Sequence, residues 1–271
     1  MSIRTVLLHA APDSGFSDRL AFAVTLARQS GAAIKAVYTL YPAGVPRVGR
    51  ALSIYVNELV HEAKEKEAGI KAQFEQAIAG AGVTGTWTVV EGEVASALRE
   101  EVTFADVTVV SETPYGTVDD QLAATLPEHL ALACNGPVAV VPTGKPVPTR
   151  IGRALVAWKP SREAGHAVRF ALPVLATADE VEVLTVEEGD PATAASGARL
   201  TAWLTSHGVN ARHHHAKEGA AGVAIANEAQ KFGADLVVMG VYSRSRLAEM
   251  VLGGVTASLL TDPPAALLVA H

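Results

Sequence analysis

The sequence has little cysteine, few aromatic residues and few charges. Its one cysteine, Cys134, excludes an internal disulfide and any zinc cluster built from several cysteines. Aromatic residues make up 5% of the chain and charged residues 18%. The 22 Lys and Arg are outnumbered by 28 Asp and Glu, which excludes a general binder of nucleic acid or of anionic membranes. No apolar run approaches the roughly 20 residues that span a bilayer, and no secretory signal is evident, so we expect a cytoplasmic protein.

Apolar residues, in contrast, are abundant. They make up 49% of 271 residues, enough for a substantial buried core, so global disorder is excluded. At roughly 100–200 residues per domain, the length allows one large domain or two small ones.

The chain contains an internal repeat. The apolar runs Thr5–Leu8 and Ala154–Ala157 lie about 149 residues apart, and each precedes a polar loop and a helical stretch. Ala105–Val110 and Ala234–Met239 are also alike, but about 129 residues apart. The first copy therefore contains roughly 22 extra residues in its middle.

The extra residues have a helical pattern. Apolar residues between Ala51 and Ala79 recur near helical spacing, with Glu and Lys between them, which predicts one long amphipathic helix. Two interpretations stay open: the helix covers one face of a sheet, or it is a docking surface for another protein.

Each copy alternates five short apolar runs with helical stretches. The predicted strands are 4–10, 33–40, 84–90, 106–111 and 138–142, then 153–158, 180–186, 209–216, 235–240 and 265–270. Runs that are apolar on consecutive residues indicate strands buried on both faces, as in a parallel sheet under helices. The sequence thus predicts two small doubly wound α/β domains, 1–147 and 148–271, separated at the proline-rich segment Pro142–Pro148.

A ligand site is predicted in the second copy. Ligands of open parallel sheets bind beyond the carboxyl ends of the strands, where strand order reverses. There, Gly240 ends the fourth strand, and Gly253 and Gly254 begin a helix. Glycines let backbone N–H groups approach an anion, and a helix start directs its free N–H groups at that anion. Arg244 and Arg246 add positive charge nearby.

This segment resembles the nucleotide-binding signature of universal stress proteins. In that family the glycine ending strand four is followed by two residues, Gly, nine residues, and Gly with Ser or Thr. The spacing is kept here, but Ser243 replaces the second glycine and Gly254 replaces the hydroxyl residue. Val255 and Thr256 resemble ATP-binding members. The two copies together resemble tandem members of the family.

The resemblance implies a fold and a ligand. It implies Rossmann-like domains of the adenine nucleotide alpha hydrolase type, a role in stress tolerance, and ATP or another adenine nucleotide, with Mg²⁺ if ATP is bound. The residues expected to bind the nucleotide are Ala157, Trp158, Lys159, Met239, Gly240, Ser243, Arg244, Gly253, Gly254, Val255 and Thr256.

One position departs from the family at the first-strand loop. The family commonly has Asp two residues before a Ser, whereas Lys159 precedes Ser161 here. A lysine cannot accept a hydrogen bond from an adenine amino group, but it can meet a phosphate or a carboxylate. Trp158 is open to two interpretations, stacking on a ring or half-buried packing, and Lys159 to a second one as a solvated surface charge.

The first copy lacks the site. Ser111 stands where Gly240 stands, and Leu126-Pro127 replace the two glycines. A proline without an N–H cannot complete an anion nest, and the acidic loop Glu112–Asp120 repels phosphate. We therefore predict no nucleotide in the first copy.

The histidines give weaker indications of a functional site. Strand alternation lets only His213 and His215 of the run 213–215 share a ligand, with His207 as a distant third, so no metal site is predicted. His9 ends the first strand, where a general base is conceivable, but no nucleophile or phosphate loop accompanies it. We assign no catalytic residue.

More than one assembly and more than one function are compatible with the sequence. The family resemblance implies that the last strands, Val138–Pro142 and Ala266–Ala270, pair antiparallel, so the chain is its own pseudo-dimer; a homo-oligomer remains open. One alternative function is a nucleotide-independent module that binds an unknown protein partner. The other is a weak ATPase, for which Glu249 is the nearby carboxylate.

Overall fold

The protein is a ten-stranded sheet with helices on both faces. A computed structural model describes residues 2–40, 50–91, 94–112, 126–133, 136–187, 192–216, 220–241 and 254–271. The strands are β1 (Thr5–Ala10), β2 (Ala33–Thr39), β3 (Gly85–Val90), β4 (Val107–Ser111), β5 (Val138–Val141), β6 (Arg153–Ala157), β7 (Glu180–Val186), β8 (Ala211–Ala216), β9 (Leu236–Gly240) and β10 (Ala266–Ala270). All ten predicted strands are confirmed, with small shifts at their ends.

The strand order repeats in the two halves. The order across the sheet is β3-β2-β1-β4-β5-β10-β9-β6-β7-β8. Neighbours within each half are parallel, whereas β5 and β10 pair antiparallel, with Leu267 opposite Val140. The predicted doubly wound α/β fold and the predicted pairing of the last strands are confirmed. That pairing joins the halves into one sheet.

Helices cover both faces of this sheet. The described helices are α1 (Phe16–Ser30), α2 (Arg50–Ala81), α3 (Val94–Val102), α4 (Leu126–Ala133), α5 (Arg162–Leu175), α6 (Ala192–Ser206), α7 (Ala221–Phe232) and α8 (Gly254–Thr261). One apolar cluster joins α1, α2, α5 and α6 to the sheet, and a second joins α3, α4, α7 and α8 to the opposite face. No described helix has the length and apolar character needed to cross a bilayer.

Helix α2 is the long helix predicted from the extra residues. Phe74 is 1% exposed and Ala63 is 6% exposed, both within the first apolar cluster. The Tyr38 hydroxyl donates to the Ala63 carbonyl at 2.6 Å, and the Trp87 indole N–H donates to Glu67 at 3.1 Å. These contacts with β2 and β3 favour the interpretation that α2 covers the sheet.

Backbone hydrogen bonds correct the alignment of the two halves by one residue. The Asp106 carboxylate accepts from the N–H groups of Arg4 and Thr5, and Asp235 accepts in the same way from Gly152 and Arg153. Thr5 therefore corresponds to Arg153 rather than to Ala154. The sequence alignment was wrong here because both strands are apolar at consecutive positions, so hydropathy does not fix their register.

The segment between the halves is irregular and bonded to both of them. In the first half, the Gly144 N–H donates to Asp18 and the Thr25 hydroxyl donates to the Pro148 carbonyl. In the second half, Lys145 pairs with Asp262 at 2.7 Å. The Pro142–Pro148 segment thus has the predicted lack of helix and strand, and its contacts fix its path between the halves.

Candidate functional site

Each half has one point where strand order reverses. In the first half it lies between the carboxyl ends of β1 and β4, and in the second between those of β6 and β9. These two crevices are the places where an open parallel sheet binds its ligand.

The first crevice contains a buried arginine. Arg19 of α1 is 1% exposed. Its guanidinium donates to the His9 carbonyl at 3.0 Å and to the Ser111 hydroxyl at 2.7 Å, and both of its terminal nitrogens lie 2.9 Å from Asp13 carboxylate oxygens. A bidentate pair of this kind is both strong and directional. The chain's own side chains thus connect the ends of β1 and β4.

His9 lies beside this pair. It is 6% exposed, and its Nε2 is 3.2 Å from the Thr39 hydroxyl. Burial, with the Arg19 charge adding to it, lowers the pKa of His9 to about 3, and Asp13 opposes this shift. A base this weak does not support the general-base role considered for His9.

Two further contacts close the first crevice. A Cβ on Gly15 would lie 2.4 Å from the Ser111 hydroxyl, so a side chain at this position would displace the serine. The Glu112 carboxylate accepts from the Thr143 N–H and hydroxyl, each at 3.0 Å. Of the acidic loop Glu112–Asp120, only Glu112 lies among the described residues.

The second crevice is built differently. A Cβ on Gly240 would lie 2.3 Å from the Ala164 nitrogen and 2.6 Å from the Glu163 carbonyl carbon, so the first turn of α5 packs directly on the end of β9. Ser161 caps this helix by accepting from the Ala164 N–H at 3.1 Å. The residue that corresponds to Arg19 in the register of the two halves is Ala167, fully buried in the apolar core.

The residues predicted at the end of β6 are placed around this crevice. Trp158 is partly buried against the apolar cluster, and its indole N–H donates to the Ser196 hydroxyl at 3.0 Å. This contact favours packing over ring stacking. Lys159 is exposed, and Ala157 is partly buried.

The remaining predicted residues lie around β9 and α8. Met239 is 5% exposed, so only its backbone is available to a ligand. Helix α8 begins at Gly254, with Val255 and Thr256 in its first turn, and has no acidic residue there. The predictions on Cys134, Ser243, Arg244, Arg246, Glu249 and Gly253 lie outside the described residues.

Comparison with known proteins assigns a family to the second half. Residues 150–271 match the model of the universal stress protein family. The second half is a universal stress protein domain. Over the whole chain, a universal stress protein from Archaeoglobus fulgidus has the same fold: it is 17% identical, covers 100% of this chain and 97% of its own, and has a TM-score of 0.78. A protein of unknown function from Pseudomonas aeruginosa, 18% identical, covers 99% of this chain and 92% of its own, with a TM-score of 0.61. No curated protein sequence is a significant match.

A surface groove of about 390 Å³ lies in the first half, away from the universal stress protein domain. It runs between the β1–α1 loop and α2, and is lined by Asp13, Phe16, Glu65, Lys66 and Ile70 among others. Its lining carries charges of both signs, which defines no ligand class.

The histidines of the universal stress protein domain follow strand alternation. His213 and His215 share the Thr185 hydroxyl, at 2.9 and 3.0 Å. Burial, and after it the neighbouring His215 and His214, lowers the pKa of His213. His207 lies against Trp203, with ring centroids 4.3 Å apart.

Sequence reasoning missed the Arg19–Asp13 pair. A signal for it was present, because Arg19 stands between Phe16 and Leu20 on the apolar face of its helix. A charge on such a face is rarely buried without a partner.

Proposed function

We propose that the universal stress protein domain binds an adenine nucleotide, with ATP the first candidate, and that the first half binds none. In this proposal residues 1–147 and 148–271 act as the two domains of an intramolecular pseudo-dimer with a cytoplasmic role in stress tolerance. The observation that carries it is the contrast between the first turns of two matching helices, α4 and α8.

The two helix starts differ in what they offer an anion. Helix α4 begins Leu126-Pro127-Glu128, so one N–H is missing and a carboxylate lies in the first turn. Helix α8 begins Gly254-Val255-Thr256, with its N–H groups intact and no carboxylate. Because a helix start binds anions through free N–H groups and its positive dipole end, α8 supports phosphate binding and α4 opposes it.

The two crevices also differ in a way that favours an anion in the second half. The Arg19–Asp13 pair lies in the first crevice. In the register of the two halves their positions are taken by Ala167 and Ser161, so the described part of the second half has no equivalent ion pair. Exposed Lys159 adds a positive charge at the end of β6 that suits a phosphate. With ATP, Mg²⁺ would be held by phosphate oxygens together with its own bound waters.

A nucleotide-independent interaction module is the second candidate. It is favoured by the Trp158 indole, whose N–H is already bound by Ser196, and by the replacement of the family's Asp by Lys159.

The test is a calorimetric titration of the full chain with ATP and ADP, with and without Mg²⁺. The variant is Thr256→Asp. A carboxylate in the first turn of α8 suits the helix dipole, so folding is kept, but it repels phosphate. The matched control is Thr256→Ser, which keeps the hydroxyl.

We expect one nucleotide per chain, lost in Thr256→Asp and kept in Thr256→Ser. No binding at millimolar nucleotide overturns the proposal in favour of the interaction module. Two nucleotides per chain overturn its claim about the first half. Phosphate release above the background of Thr256→Asp would instead assign the weak ATPase activity.

A further inference from the structure

Two carboxylates and an imidazole meet at one edge of the sheet, away from both crevices. Glu182 lies on β7, His214 on the edge strand β8, and Glu228 on α7. One donor atom from each residue lies within 4.8 Å of the other two. These three residues, which we call the edge cluster, take no part in the proposed nucleotide site.

Strand register and helix packing bring the edge cluster together. Glu182 is paired with Arg212 across the two strands, and His214 lies two residues further along β8. The side chains of Glu182, Arg212 and His214 therefore lie on one face of the sheet. Helix α7 buries Ile225, Ala229 and Phe232 against that face. Glu228 lies at the margin of this buried stripe, where its side chain is 14% exposed.

The spacing of these atoms fits the ligands of one metal ion. His214 Nδ1 is 3.4 Å from Glu182 Oε1 and 3.4 Å from Glu228 Oε1. Charge-assisted N–H···O bonds are commonly about 2.7–2.9 Å long, so both contacts are long for an ion pair. With metal–ligand bonds of about 2.05 Å, the ligand atoms of a tetrahedral zinc lie about 3.3 Å apart. The two contacts therefore match two edges of a tetrahedron of ligands.

Outer contacts orient the carboxylates. Arg212 Nε donates to the other oxygen of Glu182 at 2.8 Å, and its guanidinium lies over the Phe232 ring, 5.0 Å from the centroid. The Glu182 side chain is 4% exposed, so it is held in one position. Lys231 lies 3.5 Å from Glu228. Such partners of ligand residues fix the ligand geometry and tune metal affinity.

The geometry points to a binding site for a divalent ion of the zinc class in the edge cluster. Glu182, His214 and Glu228 supply three ligands, and water supplies the fourth, which the 35% exposure of the His214 side chain allows. One imidazole nitrogen with two carboxylate oxygens suits Zn²⁺ or Co²⁺.

The corresponding position in the first half has a lysine in place of a carboxylate. There Lys35, on β2, forms a direct ion pair with Glu101 of α3. A lysine in that position supplies no ligand to a cation. The edge cluster is therefore specific to the second half.

The test is titration of the full chain with Zn²⁺ by calorimetry and with Co²⁺ by visible absorption, which reports tetrahedral coordination. The variants are His214→Gln and Glu228→Gln; the second leaves the Glu182–Arg212 pair intact. The matched control is His215→Gln, on the opposite face of the same strand. Circular dichroism checks that each variant is folded.

We expect one Zn²⁺ per chain and a tetrahedral Co²⁺ spectrum. Both variants should weaken binding at least about tenfold, since even outer partners of ligands contribute about 10–100-fold, and the control should bind normally. If no ion binds, the inference is overturned. It is also overturned if His215→Gln abolishes binding while the two ligand variants retain it.

Discussion

The two crevices differ in how a helix packs against the end of a strand. Between α1 and β4, the first half places a charged network around Arg19, with Gly15 just before the helix and Ser111 on the strand. Between α5 and β9, the second half places Gly240 on the strand and alanines on the helix, so the backbones touch. One fold therefore tolerates either a buried ion pair or close backbone contact where its strand order reverses, and among the described residues only the first crevice has such an ion pair.

The largest effect is expected from Asp13→Ala. It leaves the buried Arg19 guanidinium without its charged partner, which should lower the free energy of unfolding by about 3 kcal/mol. The matched change, Ser161→Ala, removes only a helix cap and should cost about 1 kcal/mol. Urea unfolding measures both.

A second variant tests the reason for this difference. Replacing Arg19 by Met as well should recover part of the loss, because the uncompensated charge is gone. Equal losses for Asp13→Ala and Ser161→Ala would show that the ion pair is not the main contribution.

An intermediate effect is expected from Gly240→Ala. The new Cβ meets the backbone of Glu163 and Ala164 at 2.3–2.8 Å, which no side-chain rotation relieves. We expect a loss of about 1–3 kcal/mol in the free energy of unfolding. In the first half, Ser111→Gly removes one hydrogen bond to Arg19 and should cost about 1 kcal/mol. If Gly240→Ala is neutral in urea unfolding, the close contact between α5 and β9 is wrong.

A pH-dependent effect is expected from the buried imidazole of His9. The ordinary pKa of His9 is 6.5 and its value in the folded protein is about 3, so between these values the unfolded chain binds a proton that the folded chain does not. The free energy of unfolding should therefore fall as the pH falls through this window, by about 1.4 kcal/mol per pH unit from His9. His9→Gln should flatten the dependence, measured by urea unfolding from pH 7 down to pH 4.

The control for His9 is an exposed histidine. The His61 side chain is 75% exposed, so His61→Gln serves as the comparison variant. A His9→Gln slope equal to the unmodified protein's would contradict the burial of a neutral imidazole.

The fold could be predicted almost completely from the sequence. Consecutive apolar runs such as Val107–Val110 mark strands buried on both faces, and their alternation with helical stretches determines a parallel sheet. The pairing of β5 with β10 came from the family resemblance, and the structure confirms it. The one-residue error at Thr5 arose because hydropathy alone does not fix the register of a fully apolar strand.

The sites were less predictable because they depend on side chains distant in sequence. Arg19 meets Ser111 across 92 positions, and Glu182 meets His214 across 32. Strand alternation correctly placed His213 and His215 on one face, but it could not show which carboxylates face His214 on the other. The nucleotide contacts predicted at Ser243, Arg244 and Gly253 stay predictions.

The antiparallel seam between β5 and β10 also determines how the two halves find each other. Both strands lie on one chain, so their meeting is unimolecular, and the reach of residues 142–152 sets the effective concentration. Abundance in the cell then has no influence on whether the seam forms. A version cut into two separate chains would dissociate on dilution, whereas the tethered protein keeps its sheet intact at any level of expression.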